Sequence, residues 1–464
     1  MFSRRKIIAF LSSIILAMSM FSPMSAFAVE NIDELGGKPV ESYPRDVQVR
    51  LPEISANCWA VADSNGNILW SHNGYEPVKI ASVTKMMTAI VAADYPMDTQ
   101  IVVSEYASSI PGSSAYIHEG DIITLSELLE GLMLPSGNDA AYAIAEGLGE
   151  LMLIDDGASD AKTKTSEEKV ERFIGEMNKK SSELNLKDTF FVNPCGLDDE
   201  GFEGEHHSCA VDVAIMAKAV MANERLAQIA DTSYEEMDAI REGEPITTPM
   251  VNSNRLLEQR EEEAAGVKTG FTDAAGSCLA GCGNIDGDLY YTACLGCESA
   301  IAMYYDTALL WDWVRASRLD MDYMAGYGRT ENGDYIIGEL AANEWTDKTY
   351  RIAVKNSDNV PQWYWEGNYN FIRSIDNPDS SIHKGDVVGS LDIVDHYGNV
   401  VEHMDVFAVD DVESPSWWEA ICIFFSRLFS PLTGSPTTAQ DVYYDSSPEL
   451  RGTHYSPQTV AVQF

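Results

Sequence analysis

The chain has 464 residues, of which 45% are hydrophobic and 10% aromatic, and a formal charge of −42. This composition excludes a disordered chain and leaves room for two or three domains, while the charge excludes a nucleic-acid binder, whose affinity comes from neutralising phosphates. Eight cysteines are sparse for a disulfide scaffold of this length, no metal-binding spacing occurs among the eight histidines, and no cofactor is expected.

Residues 1–28 read as a secretory signal. Arg4, Arg5 and Lys6 precede an apolar run from Ile7 to Phe21, and Ala26-Phe27-Ala28 offers small residues to a signal peptidase. The run is shorter than the ~20 apolar residues a spanning helix needs. Cleavage after Ala28 removes three cations and no anion, which moves the formal charge from −42 to −45.

A polar leader over residues 29–50 precedes a domain over 51–320. CWAVAD and NILWS read as strands joined at Ser64-Asn65-Gly66-Asn67, because Asn and Gly tolerate positive φ. A helix begins near Ala81. Residues 128–148 carry helical apolar spacing broken at Pro135 and Gly137, which exposes a turn between two helices, with Asp139 placed to cap or orient the second. Residues 157–171 are polar, lack an apolar face and read as solvated. Helical patterns resume over 170–184 and 210–221, separated by a loop containing NPCGLDDEGFEGEHHS, in which His206 and His207 read as loop residues. GVKTGFT, SCLAGCG and LYYTACLG read as strands and YYDTALLWDWVRAS as a helix. Helices enclosed between early and late strands predict an α+β fold whose sheet is closed by distant segments.

On a strand, the odd spacing of Cys294 and Cys297 predicts opposite faces. Cys278 and Cys282 share a face about 13 Å apart at ~3.3 Å per residue, too far for a bond. A Cys278–Cys294 cross-strand disulfide stays open beside the default of buried thiols.

Residues 325–412 consist of short alternating runs between Gly, Asn and Asp turns and predict a small all-β domain. Residues 415–430 predict an amphipathic helix, since Trp417, Trp418, Ile421, Phe424, Phe425, Leu428 and Phe429 fall within roughly 140° at ~100° per residue. It is too short to span a bilayer, and its tryptophans suit a membrane surface, reached through residues 416–429. Packing on the β domain is the alternative. Residues 434–464, rich in Ser, Pro and Thr, read as disordered.

Ser-x-x-Lys spacing occurs at Ser3/Lys6, Ser82/Lys85, Ser159/Lys162, Ser166/Lys169 and Ser381/Lys384. Only Ser82/Lys85 joins a helix start with an apolar flank, where residues three apart share a face and a desolvated lysine becomes a proton acceptor. Two further groups follow in order: Ser136-Gly137-Asn138 at the interhelical turn and Lys268-Thr269-Gly270 on a strand.

Ser82-Val83-Thr84-Lys85, Ser136-Gly137-Asn138 and Lys268-Thr269-Gly270 together resemble the signatures of penicillin-recognising serine enzymes. SVTKMMTA, LLEGLMLPSGNDAA, DTFFVNPCGLDD and GVKTGFTDAAGSCL resemble the D-alanyl-D-alanine carboxypeptidases among the low-molecular-mass penicillin-binding proteins. The resemblance covers roughly residues 50–315 and, through HKGDVVGSLDIVD, 330–412. It implies a penicillin-binding/β-lactamase-like transpeptidase domain, a helix cluster packed on an antiparallel sheet, followed by a β domain and an amphipathic anchor. It implies Ser82 as nucleophile, Lys85 as general base, Ser136 and Lys268 as proton relay, and Asn138 holding Lys85 and the substrate amide. Lys268 and Thr269 would grip the terminal carboxylate, with Gly270 allowing close approach and the backbone N–H groups of Ser82 and Phe271 forming an oxyanion hole. The implied partners are peptidoglycan stem peptides ending in D-Ala-D-Ala, β-lactams as inhibitors, and the outer face of the bacterial cytoplasmic membrane.

Three local features depart from the family pattern: His206-His207-Ser208-Cys209 after a longer loop, Cys195 within Asn193-Pro194-Cys195-Gly196, and the lack of a basic residue around Leu295-Gly296-Cys297-Glu298. Two alternatives accompany the reading. One is a β-lactamase, which needs a deacylating glutamate where Ser181-Ser182-Glu183-Leu184-Asn185 has Ser181. The other is a non-catalytic wall-binding protein of the same fold.

Overall fold

The computed structural model describes residues 33–43, 45, 51–199, 201–202, 204–355, 360–366, 369–395, 398–434 and 437–453. Residues 1–28, read from the sequence as a secretory signal, lie outside them. An antiparallel seven-stranded sheet is built from β1 (Asp33–Leu35), β2 (Lys38–Pro39), β3 (Cys58–Ala62), β4 (Ile68–His72), β5 (Ala264–Thr272), β6 (Gly276–Ile285) and β7 (Asp288–Cys297). Its order is β2-β1-β4-β3-β7-β6-β5, so early and late segments close one sheet as expected and β5 forms an edge. The β3–β4 turn is held by the Asp63 carboxylate, which accepts from the Asn65 and Asn67 amides, with Gly66 at φ +89°.

Both faces of this sheet are covered, which is why β3 is apolar at every position. Cys58, Ala60 and Ala62 point into one core with helices α1 (Lys85–Ala92), α2 (Leu125–Met133), α3 (Asn138–Asp155), α4 (Ser166–Glu183) and α5 (Ala210–Met221). Trp59 and Val61 point into a second core beneath α6 (Ala300–Ser317), with Trp70, Trp311 and Trp313. Each large apolar side chain fully buried here contributes ~1.5–3 kcal/mol relative to exposure. The Pro135 break falls between α2 and α3 as the sequence predicts. The all-β region carries strands Tyr335–Ala341, Thr349–Val354, Asn370–Ile375, Val387–Val394 and Val400–Ala408 around its own core.

Three expectations are corrected and one unread element is added. The leader is not outside the fold: β1 pairs with β4, and Leu35 is buried. The tail read as disordered contributes Val442–Tyr443, paired with Tyr335–Ala341, and Glu449–Thr453, paired with Arg318–Asp322. A hairpin of Tyr234–Arg241 and Glu244–Val251, unread in the sequence, completes a small four-stranded sheet; Met237 and Met250 point inward, while Tyr234, Ile240 and Val251 are exposed. Cys294 and Cys297 lie on the same face, under α6, because β7 carries one extra residue opposite Ser277–Leu279, with Gly296 at φ +70°. Leu279, not Cys278, stands opposite Cys294, and all eight cysteines are free thiols.

The C-terminal helix, α7 (Trp417–Thr433), starts two residues later and ends three residues later than expected, and opens with a Ser416/Glu419 capping box. It touches the β domain through Ile423 and through Arg427, whose guanidinium donates to the Asn343 and Trp345 carbonyls at 2.6 and 3.2 Å. The predicted apolar arc faces outward, with Trp417 75% and Phe424 62% exposed. Among the described residues no helix is long and apolar enough to cross a membrane.

Candidate active site

Ser82 lies in a 3-10 turn, Ala81–Thr84, that runs directly into α1 at Lys85. The turn compresses the three-residue spacing so that Lys85 Nζ donates to Ser82 Oγ at 2.8 Å. The same ammonium donates to Asn138 Oδ1 at 2.6 Å and to the Cys195 carbonyl at 3.0 Å. Lys85 is fully buried, and desolvation pulls its pKa down to about 8 against the opposing pull of Cys195 and Asp139. A hydroxyl beside an amine so placed can lose its proton to it.

Asn138 opens α3 just past the Pro135 break. Its Nδ2 donates to the Pro111 carbonyl at 2.7 Å, which fixes its Oδ1 toward Lys85. Ser136 sits in the break at φ +66°, and its buried Oγ has no hydrogen-bond partner among the described residues. Lys268 lies on the edge strand β5, 1% exposed, with its Nζ donating to the Thr269 carbonyl. Burial, then the charge of Lys85, holds its pKa well below the ordinary lysine value. Thr269 Oγ1 stands 2.5 Å from Ser253 Oγ. At Gly270 an added Cβ would lie 2.9 Å from the Ser82 nitrogen and 3.0 Å from that of Val83, so only glycine lets β5 pass so close to the serine turn. Phe271, next along, is 65% exposed. The structure therefore gathers Ser82, Lys85, Asn138, Lys268 and Gly270 at the junction of α1, α3 and β5, with Ser136 in the turn that leads into α3.

Two residues gain weight over the sequence reading. The Asp139 carboxylate does more than cap α3: it accepts from the Ala115 amide and Ser114 Oγ at 2.8 and 2.6 Å, fastening the 113–117 loop beside Asn138. His206 lies in the loop as read, but is buried behind the Ser82 turn at 1% exposure. Its role could be suspected only from position, since nothing in the letters HHS distinguishes a buried histidine from an exposed one. Of the other spacings, Ser3/Lys6 lies outside the described residues; Ser159 and Lys162 are exposed, Lys169 pairs with Glu150, and Lys384 is exposed.

Among the described residues one group has metal-ligand geometry, Asp188, Cys209 and Asp212. It is a helix cap. The Asp212 carboxylate accepts from the Asp188 amide and Thr189 Oγ1, and Cys209 Sγ accepts from the Asp212 amide. Burial pushes the Cys209 thiol up to about 12, the direction expected of a buried structural cysteine.

The family model for D-alanyl-D-alanine carboxypeptidase matches residues 45–150 and 158–297. The D-alanyl-D-alanine carboxypeptidase DacF of Bacillus subtilis is 36% identical over 220 residues, covering 46% of this chain and 50% of that protein. The D-alanyl-D-alanine carboxypeptidase of Streptomyces sp. strain K15 is 30% identical over 241 residues, covering 50% of this chain and 77% of that one. Among solved structures, the Streptomyces K15 DD-transpeptidase is similar at 27% identity and a TM-score of 0.51, over 56% of this chain and 97% of that one. The D-alanyl-D-alanine carboxypeptidase DacD from Francisella tularensis, at 22% identity and a TM-score of 0.51 over 78% of this chain and 95% of that one, speaks for the fold alone. The match spans about half the length of the Bacillus relative. With more than half of its residues matched by the family model and the three signatures meeting at one junction, the chain belongs to the D-alanyl-D-alanine carboxypeptidase family.

Proposed function

We propose that this chain is a serine D-alanyl-D-alanine carboxypeptidase that removes the terminal D-alanine from peptidoglycan stem pentapeptides and is blocked covalently by β-lactams. The observation that carries the reading is the buried Lys85 amine at 2.8 Å from Ser82 Oγ, beside an edge strand that bears a second buried lysine.

The edge of β5 is open to an extended peptide, which can add to the sheet as a further strand. Lys268 and Thr269 then meet the terminal carboxylate, and its negative charge favours the protonated lysine that burial disfavours in the empty site. Neutral Lys85 takes the Ser82 proton, and Oγ attacks the carbonyl between the last two D-alanines. The Ser82 and Phe271 amides receive the oxyanion. As the C–N bond breaks, Ser136 and Lys268 pass a proton to the departing amine, and D-alanine leaves. Water attacks the Ser82 ester in the second step, restoring the hydroxyl and releasing the shortened peptide. A β-lactam acylates Ser82 in the same way but keeps its leaving group attached.

The β-lactamase alternative is weakened by the position of Glu183, which is exposed on α4 and pairs with Lys179 and Lys180. The non-catalytic alternative has to explain why the serine, lysine and asparagine are in mutual contact. Incubation with labelled penicillin and with a D-Ala-D-Ala pentapeptide tests the reading. The wild type is expected to be labelled and to release D-alanine, and Ser82→Ala to lose labelling, with release falling on the order of 10⁶-fold. Rapid turnover of penicillin would favour a β-lactamase, and no release of D-alanine a wall-binding protein.

The same reading includes export and peripheral attachment to the outer face of the cytoplasmic membrane. The basic-apolar pattern of residues 1–28 and the outward aromatic arc of α7 support it.

A further inference from the structure

We infer that His206 is a positioning residue for the oxyanion hole: through Thr84 it fixes the peptide plane between Ala81 and Ser82, and so aims the Ser82 amide at the reacting carbonyl. This rests on the reading of Ser82 as the acylated serine.

Ala81 stands at φ +48°, a left-handed conformation that alanine disfavours. Left to itself this peptide has reason to turn. Three contacts hold it. Thr84 Oγ1 donates to the Ala81 carbonyl at 2.8 Å. Having spent its proton there, Thr84 Oγ1 accepts from His206 Nε2 at 2.7 Å. The opposite ring nitrogen, Nδ1, takes the Val192 amide proton at 3.3 Å, which selects the tautomer protonated at Nε2. Gly196 closes the other side, since a Cβ there would lie 1.8 Å from the Ala81 oxygen.

A trans peptide is planar, with its C=O and N–H pointing in opposite directions. Holding the Ala81 oxygen therefore sets the direction of the Ser82 N–H, and that nitrogen faces β5 at Gly270, beside the Phe271 amide. The imidazole stays neutral because burial lowers its pKa to about 3, so the relay keeps one polarity across the working range. His206 touches neither Ser82 Oγ nor Lys85 in this arrangement; it works through Thr84.

The test compares the full-length wild type with His206→Ala, His206→Gln and Thr84→Val, following acylation by a fluorescent penicillin in stopped flow. Losing a whole oxyanion donor costs on the order of 10²–10³-fold; a misaimed donor is expected to cost about 10- to 100-fold in the acylation rate constant. His206→Ala and Thr84→Val should both show this, with the dissociation constant of the pre-covalent complex within about twofold of wild type. His206→Gln should recover most of the rate, because its amide can donate to Thr84 and accept from Val192. The ester carbonyl of the penicilloyl enzyme should absorb at higher infrared frequency in His206→Ala and Thr84→Val than in wild type, as its polarisation weakens. Acylation unchanged in folded His206→Ala, or no recovery in His206→Gln, overturns the relay; if His206→Ala does not fold, Thr84→Val decides by the same criteria. A wild type that is not acylated at all would instead overturn the reading of Ser82.

Discussion

At the scale of single residues, the site is governed by two lysines that the fold buries near each other. Desolvation favours the neutral amine at both, and the charge of one further disfavours charge on the other. Lys85, with its pKa brought down to about 8, is the one whose neutral form the chemistry needs. The sign of the pH effect follows, because below that value the amine carries a proton and cannot accept the one from Ser82. Acylation by penicillin should therefore rise close to tenfold per pH unit on the acid side and level off above about pH 8 to 9. A stopped-flow profile that is flat from pH 6 to 9 would remove Lys85 from the role of base. The spacing Ser82/Lys85 was legible as one pair among five, but its depth was not: no letter records that the Cys195 carbonyl and Asn138, from distant parts of the chain, converge on one amine.

At the scale of elements, local signals were legible where they are strong and silent where they are short. The Pro135 break and the Asn-Gly turn before β4 specify their structure through backbone chemistry, and α4 through the helical spacing of Val170, Phe173 and Met177. The two-residue strand β2 and the hairpin around Glu242-Gly243 have too few apolar positions to show a period. The arc of α7 was visible, yet only the structure shows how the helix is held. Arg427 is committed to the Asn343 and Trp345 carbonyls, and Glu419 to the N-terminal cap. Neither is left to greet a lipid headgroup, so attachment must come from aromatic and aliphatic insertion. Substituting Trp417, Trp418, Phe424 and Phe425 together by serine should move the full-length protein from the pelleted vesicle fraction to the supernatant. Raising salt to about 0.5 M, where charges are screened within several ångströms, should leave the wild type bound. A substituted protein that still pellets, or a wild type released by salt alone, would contradict membrane docking by this face.

At the scale of the whole molecule, chain order and spatial order diverge, and this limits what the sequence discloses. The antiparallel sheet could be foreseen because β3 and the Lys268 strand carry strong strand patterns. Its completion by β1 could not, since a three-residue strand is fixed by its partner and not by its own letters. The tail is the larger case. After α7 the chain turns back: Ala341 donates its amide to Asp441, Tyr444 donates its hydroxyl to Glu339 at 2.9 Å, and Ser447 donates its amide to the Ala325 carbonyl. Glu449–Thr453 then covers Arg318–Asp322, the strand that continues straight out of α6. The tail thus ties the β domain to the end of the catalytic domain, while every residue assigned to the reaction lies between 82 and 271. Ending the chain after Gly434 removes these edge strands and leaves α7 in place. The shortened protein should be acylated by penicillin at the wild-type rate, but limited proteolysis should cut it faster between residues 318 and 366, where paired strands have lost a neighbour. Equal resistance to protease would mean that the tail strands add nothing to the junction, and a loss of acylation would mean that the junction supports the site itself.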